Sequence, residues 1–226
     1  MDITTPRTRR NARIRQAIIK SAVEIIHHEG VAALSIRRIA DAIDYSPASI
    51  YEYYASKDAI LAAVCLEGYA KLTGALQDYP VTADPRVATR ECGVQYVRFA
   101  LTNPDYFLLM FSSAGMQPNH NIEESLEAQL LRSPAFMVIH RHIHALVEAG
   151  FCVVTPSYGV FQIALSAWQM VHGIAMLALT THRNGPVDYT VIRMTLDAWQ
   201  RGFAHTVAER HPNESNCVKD EPSSLA

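Results

Sequence analysis

Side chains suited to contacting phosphates and bases cluster in one segment, SIRRIADAIDYSPASIYEYYASK, which runs from Ser35 to Lys57. Serine hydroxyls and the free amides of helix N-termini bind phosphate oxygens, and lysine adds a point charge. Arginine can reach a phosphate or a guanine edge, tyrosine can donate to phosphate or pack on a thymine methyl group, and small residues let bases approach closely. We expect DNA contacts from Ser35, Arg37, Ser46, Pro47, Ala48, Ser49, Tyr51, Tyr53 and Lys57.

Two short helices have to position these side chains. Ser35 is placed as the N-cap of the first, whose apolar residues recur at helical spacing. That apolar face consists of Ile36, Ile39, Ala40 and Ile43. Ser46 caps the second helix, and Pro47 occupies its first position, where no N–H is needed. Two helices joined by three residues predict a helix-turn-helix. A helical hairpin inside any all-α domain has the same pattern, and the tyrosines and arginine would then be ordinary surface residues.

The segment IRRIADAIDYSPASIYEYYASKDAIL resembles the DNA-binding signature of TetR-family transcriptional repressors, and the resemblance covers residues 12–62. The matching positions are Ser35, Ile39, Ala40, Asp44, Tyr45, Ser46, Ile50, Tyr51, Tyr53, Tyr54, Lys57, Asp58, Ile60 and Leu61. Asp44 stands where the family usually has glycine, and aspartate tolerates the left-handed conformation better than most residues. Tyr54 replaces the usual phenylalanine, so its hydroxyl needs a partner. The resemblance implies that the family's DNA contacts fall on the residues named above.

Positive charge concentrates near the N-terminus. The 226-residue chain has a net charge of −2, and residues 1–60 hold nine Lys and Arg against seven Asp and Glu. The basic cluster consists of Arg7, Arg9, Arg10, Arg13 and Arg15. A basic arm on a mildly acidic body is typical of a protein that meets phosphate at one end. A solvated, disordered N-terminus would have the same composition.

The cysteines and the N-terminus indicate a cellular compartment. Cys65, Cys92, Cys152 and Cys217 are far apart and form no C-x-x-C pair, which argues against a zinc site or a disulfide framework. The N-terminus is polar, so no signal peptide is expected. These features predict a protein of the reducing cytoplasm.

Helical periodicity continues along the chain, and neither a strand nor an internal repeat is predicted. The sequence therefore predicts an all-α fold of about nine helices. Residues 1–56 form a three-helix helix-turn-helix domain that opens with a flexible basic arm, 1–10. Residues 57–210 form a larger ligand-binding and dimerisation domain, whose first helix couples the two domains. Residues 115–121 are predicted to be a loop, and 211–226 a disordered tail.

The last two long helices, 156–182 and 187–209, are candidates for a dimer interface. A monomer would bind DNA weakly, so a two-fold dimer on a palindromic operator is expected. The TetR resemblance implies that these helices form a four-helix interface, although an ordinary buried core is the alternative. No Asp, Glu, Lys or Arg occurs in 149–182, which also allows a membrane span as a minor alternative. A stripe of polar residues along one side of this segment, and helix-breaking residues near its start, favour a helix buried in protein.

Aromatic and methionine side chains in the second domain suggest a site for an apolar or amphipathic effector. The pairs Trp168 with Ala167 and His172 with Gly173, together with NPDYFLLMF upstream, resemble a TetR-like subgroup named for its Trp-His-Gly motif. His172 is the best polar group for orienting a ligand, and a hydrogen-bonded core histidine is the alternative. For any single residue of the set, plain core packing is the more common role. The candidate ligand-binding residues are Tyr96, Phe99, Phe107, Met110, Phe111, Phe136, Met137, Trp168, His172 and Met176.

Two other functional classes stay open at this point. His140 and His144 lie four residues apart, a spacing that suits zinc on one helical face, and with His172 they could build a metal-dependent enzyme. No third ligand is identifiable by spacing, so no metal or cofactor is expected. A helical interaction protein without DNA affinity is the second alternative. The favoured prediction is a cytoplasmic, homodimeric repressor that is not an enzyme.

Overall fold

The computed structural model describes residues 5–80, 82–112, 124–156, 158–181 and 187–209, with side chains described as far as Phe203. These residues form ten α-helices and no β-strand, which confirms the predicted all-α fold. The helices are α1 (Pro6–Glu29), α2 (Ile36–Ala42), α3 (Pro47–Tyr51), α4 (Lys57–Ala75), α5 (Pro85–Thr102), α6 (Pro104–Met110), α7 (Leu126–Leu131), α8 (Pro134–Glu148), α9 (Val160–Thr181) and α10 (Tyr189–Glu209).

Side-chain caps determine where most of these helices begin. The hydroxyls of Ser35, Ser46 and Ser56 accept hydrogen bonds from the amides of Arg38, Ser49 and Ala59, as their positions in the sequence predict. The same device starts four more helices, capped by Thr5, Asp84, Ser125 and Ser133. Local sequence therefore sets these helix starts, independently of tertiary packing.

The predicted flexible arm near the N-terminus is wrong in part. Helix α1 begins at Pro6 because Thr5 caps it, so 6–10 are helical rather than part of a flexible arm. Helix α3 ends at Tyr51, and Tyr53 lies in the following turn. The remaining arm residues 1–4, the predicted loop 115–121 and the predicted tail 211–226 lie outside the described residues.

Helix α4 lies at the centre of the contacts between the N-terminal helices and the rest of the chain. It packs against α1 on one side and against α6 and α8 on the other. Helix α5 packs against α8, α9 and α10. A single cluster of buried apolar residues extends from Ile14 to Leu196 through these contacts. Movement of α4 or α6 would therefore disturb the packing of both the N-terminal helices and the helices in the rest of the chain.

Helix α9 alone among the described helices is long and apolar enough to cross a membrane. A core helix passes the same test of length and composition. Ile163, Ala164 and Ala167 of α9 are buried, and the helix packs against α5 and α8. These contacts fit a helix packed within protein.

The three described cysteines are buried and free. Burial raises the pKa of the Cys65 thiol to about 11 and that of Cys92 to about 12, and it also raises the pKa of Cys152. They lie on α4, on α5 and just after α8. At neutral pH these side chains are neutral thiols and pack as small apolar groups.

Asp44 occupies a backbone conformation that favours glycine. Its φ is 56°, in the left-handed region, and the next amide, Tyr45 N, donates to Ala40 O at 2.9 Å and closes α2. We expect Asp44→Ala to lower the free energy of unfolding by about 1 kcal/mol, because alanine lacks the local hydrogen bonding that lets aspartate tolerate this region. Asp44→Gly should be at least as stable as the native chain. Urea unfolding of both variants tests this prediction. An Asp44→Ala variant as stable as the native chain would contradict it.

Candidate DNA-binding surface and aromatic cluster

The start of α3 presents small side chains, of which Ser46 and Ser49 are polar. Ser46 Oγ accepts from Ser49 N at 3.2 Å and lies 2.8 Å from Ser49 Oγ. Pro47 and Ala48 are exposed, whereas Ile50, one turn further on, is completely buried. Tyr51 ends the helix with 55% of its surface exposed. Burial of Ile50 thus fixes α3 on the core, and the predicted contact residues remain on its open side.

Two neighbouring arginines at the start of α2 have different roles. Arg38 pairs with Glu29, and this partner lowers the pKa of the Glu29 carboxyl. Arg37 is exposed and makes no ion pair with the described part of the chain. Ser35 is half-buried and uses its hydroxyl to cap Arg38 N at 3.3 Å. Of the two guanidinium groups, that of Arg37 is therefore free to meet a phosphate or a base.

Tyr53, one of the predicted DNA contacts, is not part of α3. It lies beyond the end of α3, is half-buried and packs against the core. Lys57, at the first position of α4, is half-buried and makes no ion pair with a described residue. Tyr54 is also half-buried, and the guanidinium of Arg15 lies over its ring at 4.9 Å from the centroid. Tyr53 therefore has a structural role in addition to any contact with DNA.

The arginine-rich segment is part of α1. Arg7, Arg9, Arg10 and Arg13 are exposed along its first two turns, and no acidic residue lies in the first turn. Cationic side chains at a helix N-terminus are unfavourable within the protein because the helix dipole is positive there. A nearby phosphate would reverse this effect, so the segment is suited to an anionic partner.

Six of the predicted ligand-binding residues form an aromatic cluster among the helices that follow α4: Tyr96, Phe107, Phe111, Phe136, Trp168 and His172. The His172 ring lies 4.5 Å from Phe111 and 5.4 Å from Phe107, measured between ring centroids. Phe136 and Trp168 lie 6.1 Å apart. Helices α5, α6, α8 and α9 therefore meet at this cluster.

The polar groups of the aromatic cluster satisfy one another. Trp168 Nε1 donates to the hydroxyl oxygen of Tyr96 at 3.0 Å, and this hydroxyl lies 3.0 Å from His172 Nδ1. Because the indole can only donate, the Tyr96 hydroxyl can donate its own proton to Nδ1, and in that tautomer the imidazole proton is on Nε2. Burial lowers the pKa of His172 and raises that of Tyr96. His172 Nε2–H is the group left to orient a ligand with a hydrogen-bond acceptor.

Of the other four predicted ligand-binding residues, Phe99 makes no ring contact with the aromatic cluster in the described structure. The remaining three are methionines, which have no ring. Phe99 and Met110 are buried, and Met137 and Met176 are half-buried. Sequence reasoning missed Tyr69, whose ring lies 6.1 Å from Phe111 and whose hydroxyl donates to Met110 O at 3.3 Å. Its spacing of four from Cys65 on the buried side of α4 is the signal that could have identified it.

A set of hydrogen bonds joins α1 to α4 and α6. Glu67 on α4 accepts from Gln16 of α1 at 3.2 Å and from the Tyr106 hydroxyl of α6 at 2.8 Å. His27 Nδ1 of α1 lies 2.7 Å from Asp105 Oδ2 of α6. Because α6 also contributes to the aromatic cluster, it contacts both the N-terminal helices and the candidate ligand site. Helix α6 therefore links α1 to the aromatic cluster through direct contacts.

The histidines predicted as metal ligands do not converge. His144 pairs with Glu148 at 3.3 Å, whereas His140 packs against the ring of Phe136. His172 belongs to the aromatic cluster on another helix. The described residues contain no group of three or more His, Cys, Asp or Glu that could hold a metal ion.

Three histidines predict a pH-dependent stability. Burial lowers the pKa of His140, His142 and His172, with His144 and Arg141 adding to the effect at His140 and His142 respectively. The unfolded chain therefore binds more protons than the folded chain as pH falls below about 6.5, and stability should decrease from pH 7.5 to 5.5. The paired carboxylates lose their contribution only at lower pH. Urea unfolding at both pH values measures the change, and unchanged or higher stability at pH 5.5 would exclude it. His142→Asn should reduce the dependence.

Comparison with protein families matches two segments of the chain. Residues 18–64 match the family of bacterial regulatory proteins described as the tetR family, and residues 89–198 match a C-terminal domain described as Tetracyclin repressor-like. The first segment includes the helix-turn-helix, and the second includes the aromatic cluster. The predicted Trp-His-Gly subgroup stays a prediction.

Relatives and solved structures agree with these matches. The chain is 28% identical over 93 residues to YobS of Bacillus subtilis, an uncharacterised HTH-type transcriptional regulator, and the match spans 41% of this chain and 49% of that relative. A Rhodococcus protein of unknown function is 24% identical with a TM-score of 0.69, over 84% of this chain and 95% of that one. The TetR-family regulator PfmR of Thermus thermophilus is 23% identical with a TM-score of 0.59, over 81% and 97%.

Proposed function

The chain belongs to the TetR family of bacterial regulatory proteins, and we propose that it is a repressor that binds a palindromic operator as a homodimer and is released by a small ligand. As a member of this family it is a transcriptional regulator with a DNA-binding helix-turn-helix, and not an enzyme. Its place of action would be the cytoplasm, where it meets DNA.

The exposed start of α3 is the observation that carries the DNA-binding proposal. Ser46 caps a helix whose first residues are small and whose last residue, Tyr51, is exposed, while Ile50 anchors it. Arg37 and Lys57 bring positive charge without partners among the described residues. This combination suits a helix that enters the major groove while flanking groups hold phosphates. The remaining predicted contacts, including Tyr53, are part of the same proposal.

The exposed apolar side chains of α9 and α10 support a dimer. Leu177 of α9 and Val191 and Met194 of α10 are 62%, 56% and 64% exposed. Gly173 of α9 and Gly202 of α10 have open space around them, so another helix can approach closely. A second copy of this chain would cover these side chains. The two recognition helices of the dimer would then be related by a two-fold axis.

The aromatic cluster supports an apolar or amphipathic effector. Its core is tightly packed, with Tyr96, Phe107 and Phe136 no more than 3% exposed, so an effector would have to displace side chains. Displacement of Phe107 or Phe111 moves α6, which is tied to α1 through Asp105 and His27. A ligand that prefers this displaced conformation would shift the population towards a form with misplaced recognition helices.

Fluorescence anisotropy with the intergenic duplex flanking the gene tests the proposal. A repressor of this type should bind that duplex tightly, lose affinity steeply with salt and discriminate against a scrambled duplex. Light scattering of the complex should give two chains per duplex. Equal binding to both duplexes at low salt would favour the alternative of a helical interaction protein without specific DNA affinity.

A further inference from the structure

A groove of about 510 Å³ lies between the start of α5, the middle of α10, and the end of α8 with the segment after it. Its volume is within the range of small-molecule sites. None of its lining residues belongs to the aromatic cluster. We refer to it as the α5–α10 groove. Leu146 and Cys152 are buried in its floor, and Phe151 is half-buried beside them. The groove therefore offers an apolar surface next to water.

The walls of the α5–α10 groove carry three guanidinium groups and two carboxylates. Arg86 is held in place, because it donates to Asp84 at 3.1 and 2.8 Å and lies over the Phe151 ring at 4.2 Å. This pairing lowers the pKa of the Asp84 carboxyl. Arg86 and Asp84 therefore neutralise each other, and three of the five charged groups remain.

The remaining charges are not balanced. Arg90 Nε donates to Glu91 Oε1 at 3.1 Å, and its Nη1 lies 3.4 Å from both oxygens of Asp197, which leaves Nη2 for another acceptor. Glu91 is itself paired with Arg193, and both lie outside the groove. Arg201 is exposed and makes no ion pair with the described part of the chain. The five charged groups leave the groove with a net charge of +1. One monovalent anion would neutralise it, whereas a dianion would leave an excess negative charge beside the two carboxylates.

A buried amide adds a directed donor. Gln200 is 8% exposed, and its Nε2 donates to the carbonyl oxygen of Arg86 at 3.1 Å. This bond fixes the amide orientation and leaves its second N–H for another acceptor. A buried polar side chain at the boundary between charged walls and an apolar floor is typical of a ligand site.

We propose that the α5–α10 groove binds a small organic monocarboxylate with an apolar body. Its carboxylate lies between Arg90 and Arg201 and accepts from the free N–H of Gln200. Its apolar part packs on Phe151 and Leu146. Guanidinium groups favour carboxylates because the two match as planar forks. The site is distinct from the aromatic cluster, so this proposal goes beyond the proposed effector site.

Isothermal titration of the full-length protein, without DNA, tests the proposal with octanoate as the probe. Octanamide, which keeps the apolar body but not the charge, and inorganic phosphate are the comparison ligands. We expect saturable octanoate binding at one site per chain, with octanamide and phosphate at least tenfold weaker. Octanamide or phosphate binding as tightly as octanoate would overturn the proposal, as would absence of octanoate binding.

Two variants locate the binding. Arg201→Gln should weaken octanoate about tenfold, because the exposed guanidinium supplies the unbalanced charge. Arg141→Gln is the matched control, since Arg141 is an exposed arginine on α8 outside the groove. Unchanged affinity in the Arg201 variant, or equal loss in both variants, would contradict a site in the groove. Binding of the operator duplex is measured separately by anisotropy. Failure of the octanoate proposal can therefore be distinguished from failure of the repressor proposal.

Discussion

Replacing Tyr51 with alanine is expected to lower affinity for the operator about 30-fold, while changing the free energy of unfolding by less than about 0.5 kcal/mol. The tyrosine is 55% exposed at the end of α3, and none of the described residues hydrogen-bonds its hydroxyl. Loss of one contact to phosphate or base costs about 1 kcal/mol at the low end. A two-fold dimer loses two such contacts, and about 2 kcal/mol corresponds to the expected factor.

Anisotropy measures the affinity, and urea unfolding measures the stability of the same variant. Tyr51→Phe separates the ring from the hydroxyl, because phosphate contact needs the hydroxyl and packing on a thymine methyl group does not. Tyr53→Ala is unsuitable for this purpose, since the half-buried ring packs on the core and its loss would also destabilise the domain. Tyr51→Ala protein that is fully folded and binds the operator like the native chain would exclude α3 as the recognition helix.

Gly68→Val on α4 is expected to destabilise the protein by about 2 kcal/mol. A Cβ at this position would lie 2.5 Å from Met110 Sδ and 3.1 Å from Tyr106 Cδ1, so α4 and α6 are in close contact at Gly68. Met110 is 2% exposed and has little room to move. The strain of overpacking therefore exceeds the gain in helix propensity that comes from replacing glycine.

Gly74→Ala on the same helix is the matched control and should have the opposite effect. A Cβ at Gly74 would meet no atom within 4 Å, so alanine adds helix propensity without strain. It should raise stability by up to about 1 kcal/mol. Urea unfolding compares the two variants. Stabilisation by both would mean that the contact between α4 and α6 at Met110 is not tight, whereas destabilisation by both would contradict the open space at Gly74.

Short-range signals account for the parts of the fold that could be predicted from the sequence. Ser35, Ser46 and Ser56 were identifiable as caps because the residues they cap follow within one turn. The flexible arm is wrong for residues 6–10 because Thr5 and Pro6, a cap followed by proline, start α1 inside the arginine-rich segment. The short α3 depends on tertiary packing around Tyr53, which local patterns do not contain.

The candidate sites depend on long-range contacts and were predictable only as sets of residue types. Tyr96 is 72 residues from Trp168 and 76 from His172, so their hydrogen bonds required the packing of α5 on α9. Periodicity indicated that each was inside the domain, but it could not separate the aromatic cluster from Phe99 or Met176. The α5–α10 groove has the same origin, because Arg90 and Asp197 meet only through α5 and α10.

The three buried thiols allow local opening of the protein to be measured by chemical labelling. Cys65, Cys92 and Cys152 are each 3–4% exposed, so a thiol reagent can modify them only when the surrounding helices separate. In a Cys217→Ser background, the labelling rate of each thiol measures the opening of α4, of α5 or of the turn after α8. Operator DNA or octanoate added to such an experiment would identify which helices each partner holds closed, without any foreign probe.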